Sequence, residues 1–61
     1  MSHFQTNVIA ALRMIAKDSG GDITSTDLQR AIDYVRANPE IVNGLAGDVM
    51  TTADSVISMA V

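Results

Sequence analysis

The residues of this chain that could do chemistry are few and are not grouped. The 61 residues include one histidine, His3, several serines and seven acidic residues, but no cysteine. A catalytic nucleophile needs a base within hydrogen-bond reach and a third group that orients this base, and no spacing in the sequence indicates such a set. We therefore predict that the chain is not an enzyme, with no catalytic residue and no cofactor.

The segment from Asp18 to Asp27, DSGGDITSTD, resembles the middle and end of an EF-hand calcium loop. Such a loop begins with an acidic ligand and usually ends with a bidentate glutamate. Here the first position is Ala16, the fifth is Gly20 and the last is the shorter Asp27. Too few oxygen ligands remain, and a single histidine without cysteine offers no other metal site. The sequence predicts no bound metal, and a glycine-rich turn before a capped helix.

Charge is distributed unevenly along the chain. Four basic and seven acidic residues give a net charge of −3. Residues 1–36 hold four bases and four acids, whereas residues 37–61 hold three acids and no base. This balance argues against binding to the nucleic-acid backbone. No apolar run is long enough to span a membrane, because Asp48 and Asp54 interrupt the longest candidate.

Apolar residues recur at spacings of three and four, which is typical of amphipathic helices. The first stripe is Phe4, Val8, Ala11, Leu12 and Ile15, and the second is Leu28, Ala31, Ile32 and Val35. Thr24 is placed to cap the second helix, and Asn38 followed by Pro39 has the chemistry of a third helix start. We predict an all-α fold, a single domain over residues 1–61 with helices at about 3–17, 25–37 and 39–60.

The predicted third helix is more apolar than a surface helix. Its apolar residues span an arc of roughly 200°, against about 100° for an ordinary surface helix. The opposite face has only short side chains, and no Lys or Arg follows Arg36. Gly44 and Gly47 each cost about 1 kcal/mol in a helix interior. They either break the segment into two helices near Gly47-Asp48 or let another backbone approach closely, and we predict one long helix that can be kinked there.

The methionines and the single tyrosine are the remaining candidates for contacts with a partner. Met14 continues the first helix, where we predict that it fills the core. Met50 and Met59 lie on opposite shoulders of the wide arc, so at least one of them is expected to face a partner. Tyr34 lies off the stripe of its helix and is the best aromatic anchor, because interface hot spots favour tyrosine.

Small size and an oversized apolar arc together predict association with protein. A domain of about 60 residues is marginal alone, and neither disulfides nor metal can reinforce this one. We predict a small structural or interaction subunit that assembles through its C-terminal helix into a homo-oligomer, a particle or a larger complex, in the cytoplasm or within an intracellular assembly. The expected protein interface comprises Tyr34, Ile41, Gly44, Gly47, Met50, Ile57, Met59 and Val61.

A regulatory protein is the alternative hypothesis. The second and third predicted helices have about the spacing of a helix-turn-helix, so a small DNA-binding regulator or a protein inhibitor stays open. A recognition helix, however, needs basic or amide residues near its N-terminus. This helix begins with Glu40, Ile41 and Val42 before Asn43, so we predict no nucleic-acid partner.

Overall fold

The computed structural model describes residues 3–40 and 48–61. Its three helices within that part of the chain are α1 (His3–Asp18), α2 (Ser25–Ala37) and α3 (Val49–Ala60). Each of them packs against the other two, and the described residues contain no strand. The predicted all-α fold with three helices is confirmed, and the first two helices have nearly the predicted bounds.

The turn between α1 and α2 follows from its glycines and one serine. Gly20 and Gly21 have φ values of 68° and 104°, which residues with a Cβ atom rarely adopt. The Ser19 hydroxyl donates a hydrogen bond to the Ala16 carbonyl at 2.7 Å. It also accepts one from the Ile23 backbone N–H at 3.1 Å. The predicted glycine-rich turn is therefore held by Ser19, which bridges the end of α1 and the approach to α2.

Both ends of α2 are capped. Thr24 is extended, and its side chain accepts a hydrogen bond from the Asp27 N–H at 3.1 Å, as the sequence predicts. At the other end the Asn38 N–H donates to the Tyr34 carbonyl at 2.9 Å. The Val35 carbonyl accepts from the Gln5 side chain of α1 at 3.3 Å. These bonds satisfy donors and acceptors that a helix end leaves without partners.

The start of α3 differs from the predicted start of the third helix at residue 39. Asp48 is extended, with φ −87° and ψ −177°, and its side chain accepts from the Thr51 N–H at 2.8 Å. A residue in this conformation cannot continue a helix, and Asp is a preferred N-cap. Pro39 and Glu40 are helical, but the predicted continuous helix over residues 39–60 is interrupted at Asp48. Whether Gly44 and Gly47 interrupt it lies outside the described residues.

The core is aliphatic and uses all three helices. Its buried apolar members are Val8, Ile9, Ala11, Leu12, Ala31, Ile32, Val35, Ala53, Val56 and Ile57. The prediction that Met14 fills the core is wrong, because its side chain is 59% exposed. Two residues after the fully buried Leu12, Met14 is rotated by about 200° and so lies on the outer face of α1.

Candidate interaction surface

Two exposed apolar edges flank the buried stripe of α3. The middle of the predicted wide arc, Ala53 and Val56, faces the core, whereas Met50 and Met59 are 47% and 57% exposed. The nine positions between the two methionines rotate the helix by about 900°, so they project on opposite sides. Two helices therefore cover the centre of the arc and leave both of its shoulders in solvent.

One edge borders a groove between α2 and α3, which we call the α2–α3 groove. Its lining consists of Arg30, Tyr34, Val56, Met59 and Ala60, and its volume is about 290 Å³. Val56 is almost fully buried and Met59 is mostly exposed, so the apolar lining extends from the core to the surface. The structure thus brings Tyr34 and Met59 together, which the sequence indicated separately.

Arg30 supplies the positive charge of the groove. Its side chain is 68% exposed, and its guanidinium lies 3.9 Å from the Asp27 carboxylate, the i,i+3 neighbour. This distance exceeds that of a hydrogen bond, and exposed pairs of this kind contribute about 1 kcal/mol or less. The guanidinium donors are therefore accessible to a partner. Arg30 was not predicted as an interface residue.

The other edge of α3, which we call the Met50 edge, comprises Met50, Asp54 and Val61. All three are exposed, with Val61 at 71%. On a helix these positions project within about 40° of one another. The acidic side chain of Asp54 therefore lies between two exposed apolar side chains, those of Met50 and Val61. Asp54 was not predicted as an interface residue either.

The face of α3 between the two edges has short polar side chains. Thr51, Ser55 and Ser58 lie here, and the Ser55 hydroxyl donates to the Thr51 carbonyl at 3.1 Å. The N-terminal end of this face holds Asp48, which is exposed. Hydrogen bonds from the Thr51 N–H and then from the Thr51 hydroxyl hold the pKa of the Asp48 carboxyl below its ordinary value. Such bonds favour the charged form of an acid.

Two polar side chains are buried among the residues that the structure describes, and neither was predicted. Gln5 contacts the Val35 carbonyl, as described above. Thr52 is fully buried, and within the described part of the chain its hydroxyl has no hydrogen-bond partner. The sequence did contain a signal for the burial of Thr52, since this residue falls inside the apolar arc of the predicted third helix. Its β-branched shape lets it pack like valine.

The other residues of the predicted interface have different outcomes. Ile57 is only 7% exposed and belongs to the core, so it is not available to a partner and we omit it from the contact surface. Ile41, Gly44 and Gly47 lie outside the described residues. For these residues, as for Tyr34, Met50, Met59 and Val61, the interface stays a prediction.

Within residues 3–40 and 48–61, no three side chains of the types that bind metals converge. No helix in this part of the chain is long and apolar enough to cross a membrane. No protein-family model, curated protein or solved structure matches the chain. The function must therefore be inferred from the surface of α3 and the groove beside it.

Proposed function

We propose that this chain is a small non-catalytic structural subunit that associates with protein through its C-terminal helix, as part of a homo-oligomer or a larger assembly. The observation that carries this proposal is that three of the four exposed large apolar side chains in the described part of the chain, Met50, Met59 and Val61, lie in α3 or directly after it. Exposed apolar residues that are scattered over a surface are ordinary, whereas apolar residues concentrated on one face are typical of interaction sites.

The composition of the surface supports the same function. Methionine is flexible and polarisable, and it is common on surfaces that adapt to a partner. Tyrosine, methionine and arginine are all enriched at protein interfaces, and the α2–α3 groove holds one of each. The groove offers no nucleophile with an adjacent base, so its chemistry suits recognition rather than catalysis.

The outer faces of α2 and α3 also differ in a way that favours association through α3. On α2, Gln29, Arg30 and Arg36 are exposed long polar side chains, which are costly to immobilise at up to about 2 kcal/mol each. On α3 the exposed polar side chains are the shorter Thr51, Asp54 and Ser58. A partner can approach these short side chains closely and restrict few rotatable bonds.

Light scattering of the purified chain over a range of concentrations tests the proposal. We expect a mass above the 6.5 kDa of one chain, and a lower mass when Met50→Gln and Met59→Gln are combined. Glutamine matches methionine in length and helix propensity, so the fold is retained. Met14→Gln is the matched control, because Met14 is at least as exposed as Met50 and Met59 but lies on α1. A wild-type chain that stays monomeric at high concentration, alone and in a soluble cell extract, would overturn the proposal.

A further inference from the structure

We infer that the partner is a second copy of this chain, and that the α2–α3 groove of one copy binds the Met50 edge of the next. This inference rests on the proposed function and specifies its geometry. The groove presents an apolar lining with a cation at its rim, Arg30. The Met50 edge presents two exposed apolar side chains, Met50 and Val61, with an anion between them, Asp54. The two surfaces are thus complementary, because both offer apolar contacts and their charges are opposite.

Charge decides which surfaces face each other. Packing two grooves together would bring Arg30 towards Arg30, and packing two Met50 edges together would bring Asp54 towards Asp54. Packing the groove of one copy against the Met50 edge of another places Arg30 near Asp54. Complementary charges at an interface favour the correct register, whereas like charges penalise the wrong ones. The long 3.9 Å contact with Asp27 leaves Arg30 able to form the new pair.

The spacing along α3 fits this arrangement. Asp54 follows Met50 by four residues, so the two side chains lie about one helical turn apart, or roughly 6 Å, on the same side. In the groove, Arg30 and Tyr34 are also separated by four residues on α2. Met50 can therefore contact Tyr34 and Met59 while Asp54 reaches Arg30. Methionine, with its unbranched flexible side chain, suits a groove with an uneven lining.

The position of the two surfaces determines the symmetry. They lie on opposite sides of α3, so each copy that binds through its groove still offers its Met50 edge to another copy. Such a contact is heterologous, and it produces a ring or an open filament rather than a two-fold dimer. The mass of the assembly is then expected to exceed that of two chains.

A mixing experiment separates this geometry from a two-fold dimer. Met59→Gln weakens only the groove, and Met50→Gln weakens only the Met50 edge. We expect each variant alone to raise the dissociation constant of self-association at least about tenfold, because a buried apolar contact is replaced by an amide. Mixed in equal amounts, the two variants retain one intact groove and one intact Met50 edge. They should form a dimer of one copy of each and grow no further, as sedimentation velocity would show.

The outcomes of mixing distinguish the inference from the function on which it rests. If the wild-type chain associates but one of the two variants associates equally well, the contact uses a single surface and the inference fails. If both variants are monomeric and remain so when mixed, the inference fails as well. In either case the proposed function survives, since the wild-type chain still assembles. Circular dichroism melting of each variant confirms that it is folded.

A charge exchange tests the pairing of Arg30 with Asp54. Arg30→Asp and Asp54→Arg should each raise the dissociation constant at least about fivefold, since each places like charges together. The double variant restores an opposite pair and should return the constant to near the wild-type value. Arg36→Asp reverses an exposed charge of α2 outside the groove and should leave assembly unchanged. A double variant as weak as the single variants would overturn the pairing.

Discussion

Gln5 and Thr52 are both buried polar side chains, but the contacts around them differ. The Gln5 side chain of α1 donates to the Val35 carbonyl at the end of α2, where Pro39, four residues further on, has no N–H to offer. The Thr52 hydroxyl of α3 has no partner in the described part of the chain. A buried donor without a partner costs about 1–3 kcal/mol. The buried side chain that joins α1 to α2 therefore has a hydrogen-bond partner, whereas the buried hydroxyl of α3 has none within the described residues.

The outer surfaces repeat this difference. Helices α1 and α2 contain all four basic residues of the chain, whereas α3 contains none. The wide apolar arc of α3 leaves Met50 and Met59 in solvent. Helices α1 and α2 thus have long charged side chains on their outer surfaces, whereas α3 has short polar side chains and two exposed methionines.

The largest expected effect comes from a substitution in the core, to which all three helices contribute. Among the described residues, Leu12 is the largest fully buried side chain, and Leu12→Ala should lower the free energy of unfolding by about 2–5 kcal/mol, through lost burial and a residual cavity. Urea denaturation followed by circular dichroism measures this. Met14→Ala, two residues away on the exposed face of α1, should change stability by about 0.5 kcal/mol or less. Equal losses for the two variants would contradict the observed rotation of α1.

Gln5→Leu breaks the satisfied contact between α1 and α2. It leaves the Val35 carbonyl without its side-chain donor, so we expect a loss of about 1–3 kcal/mol in the free energy of unfolding despite the added apolar surface. Gln29→Leu is the matched control, since Gln29 is exposed and water replaces its hydrogen bond to Asp33. A Gln5→Leu variant as stable as the wild type would show that the bond contributes nothing net.

Thr52→Val should change the free energy of unfolding in the opposite direction. Valine keeps the branched shape and removes the unpaired hydroxyl, so we expect the free energy of unfolding to rise by about 1 kcal/mol. Thr26→Val makes the same exchange at an exposed position of α2 and should have an effect below about 0.5 kcal/mol. A clear loss of stability in Thr52→Val alone would mean that the hydroxyl has a partner in the folded chain.

The parts of the fold that the sequence predicted well depend on local chemistry. Thr24 and the paired glycines determine where α1 and α2 end and begin through interactions within a few residues. The start of α3 was harder to predict. Apolar residues recur at helical spacing on both sides of Asp48, so this pattern does not indicate that the backbone is extended at Asp48.

The candidate site was only partly predictable for a similar reason. Tyr34 and Met59 were indicated by residue type, whereas Arg30 and Asp54 resemble ordinary solvated charges in the sequence. Whether Arg30 and Asp54 lie beside exposed apolar side chains depends on how α3 is rotated against α2. That rotation also decides that Ile57 is buried and Met50 exposed, and the width of the apolar arc does not determine it.

The smallest expected effect concerns the N-terminus of α3, where the Asp48 side chain caps the helix. The Thr51 N–H and hydroxyl lower the pKa of the Asp48 carboxyl in the folded chain. A carboxyl whose pKa is lower in the folded than in the unfolded state binds fewer protons when folded, so it stabilises the fold at pH values above its unfolded pKa. This contribution is lost as the pH falls through the folded pKa. We therefore expect Asp48 to stabilise α3 at neutral pH and to lose that effect in strong acid.

The substitution Asp48→Asn isolates this contribution, because asparagine caps a helix about as well as aspartate but has no charge to titrate. For this variant, we expect a slightly lower melting temperature than the wild type at neutral pH, and a difference that disappears in strong acid. Asp48→Ala lacks the cap and should melt below both proteins at neutral pH. The experiment is a series of thermal melts from neutral to strongly acidic pH for all three proteins, and the other acids of the chain cancel in the comparison. A gap between wild type and Asp48→Asn that stays constant over the whole range would show that the charge of Asp48 does not stabilise α3.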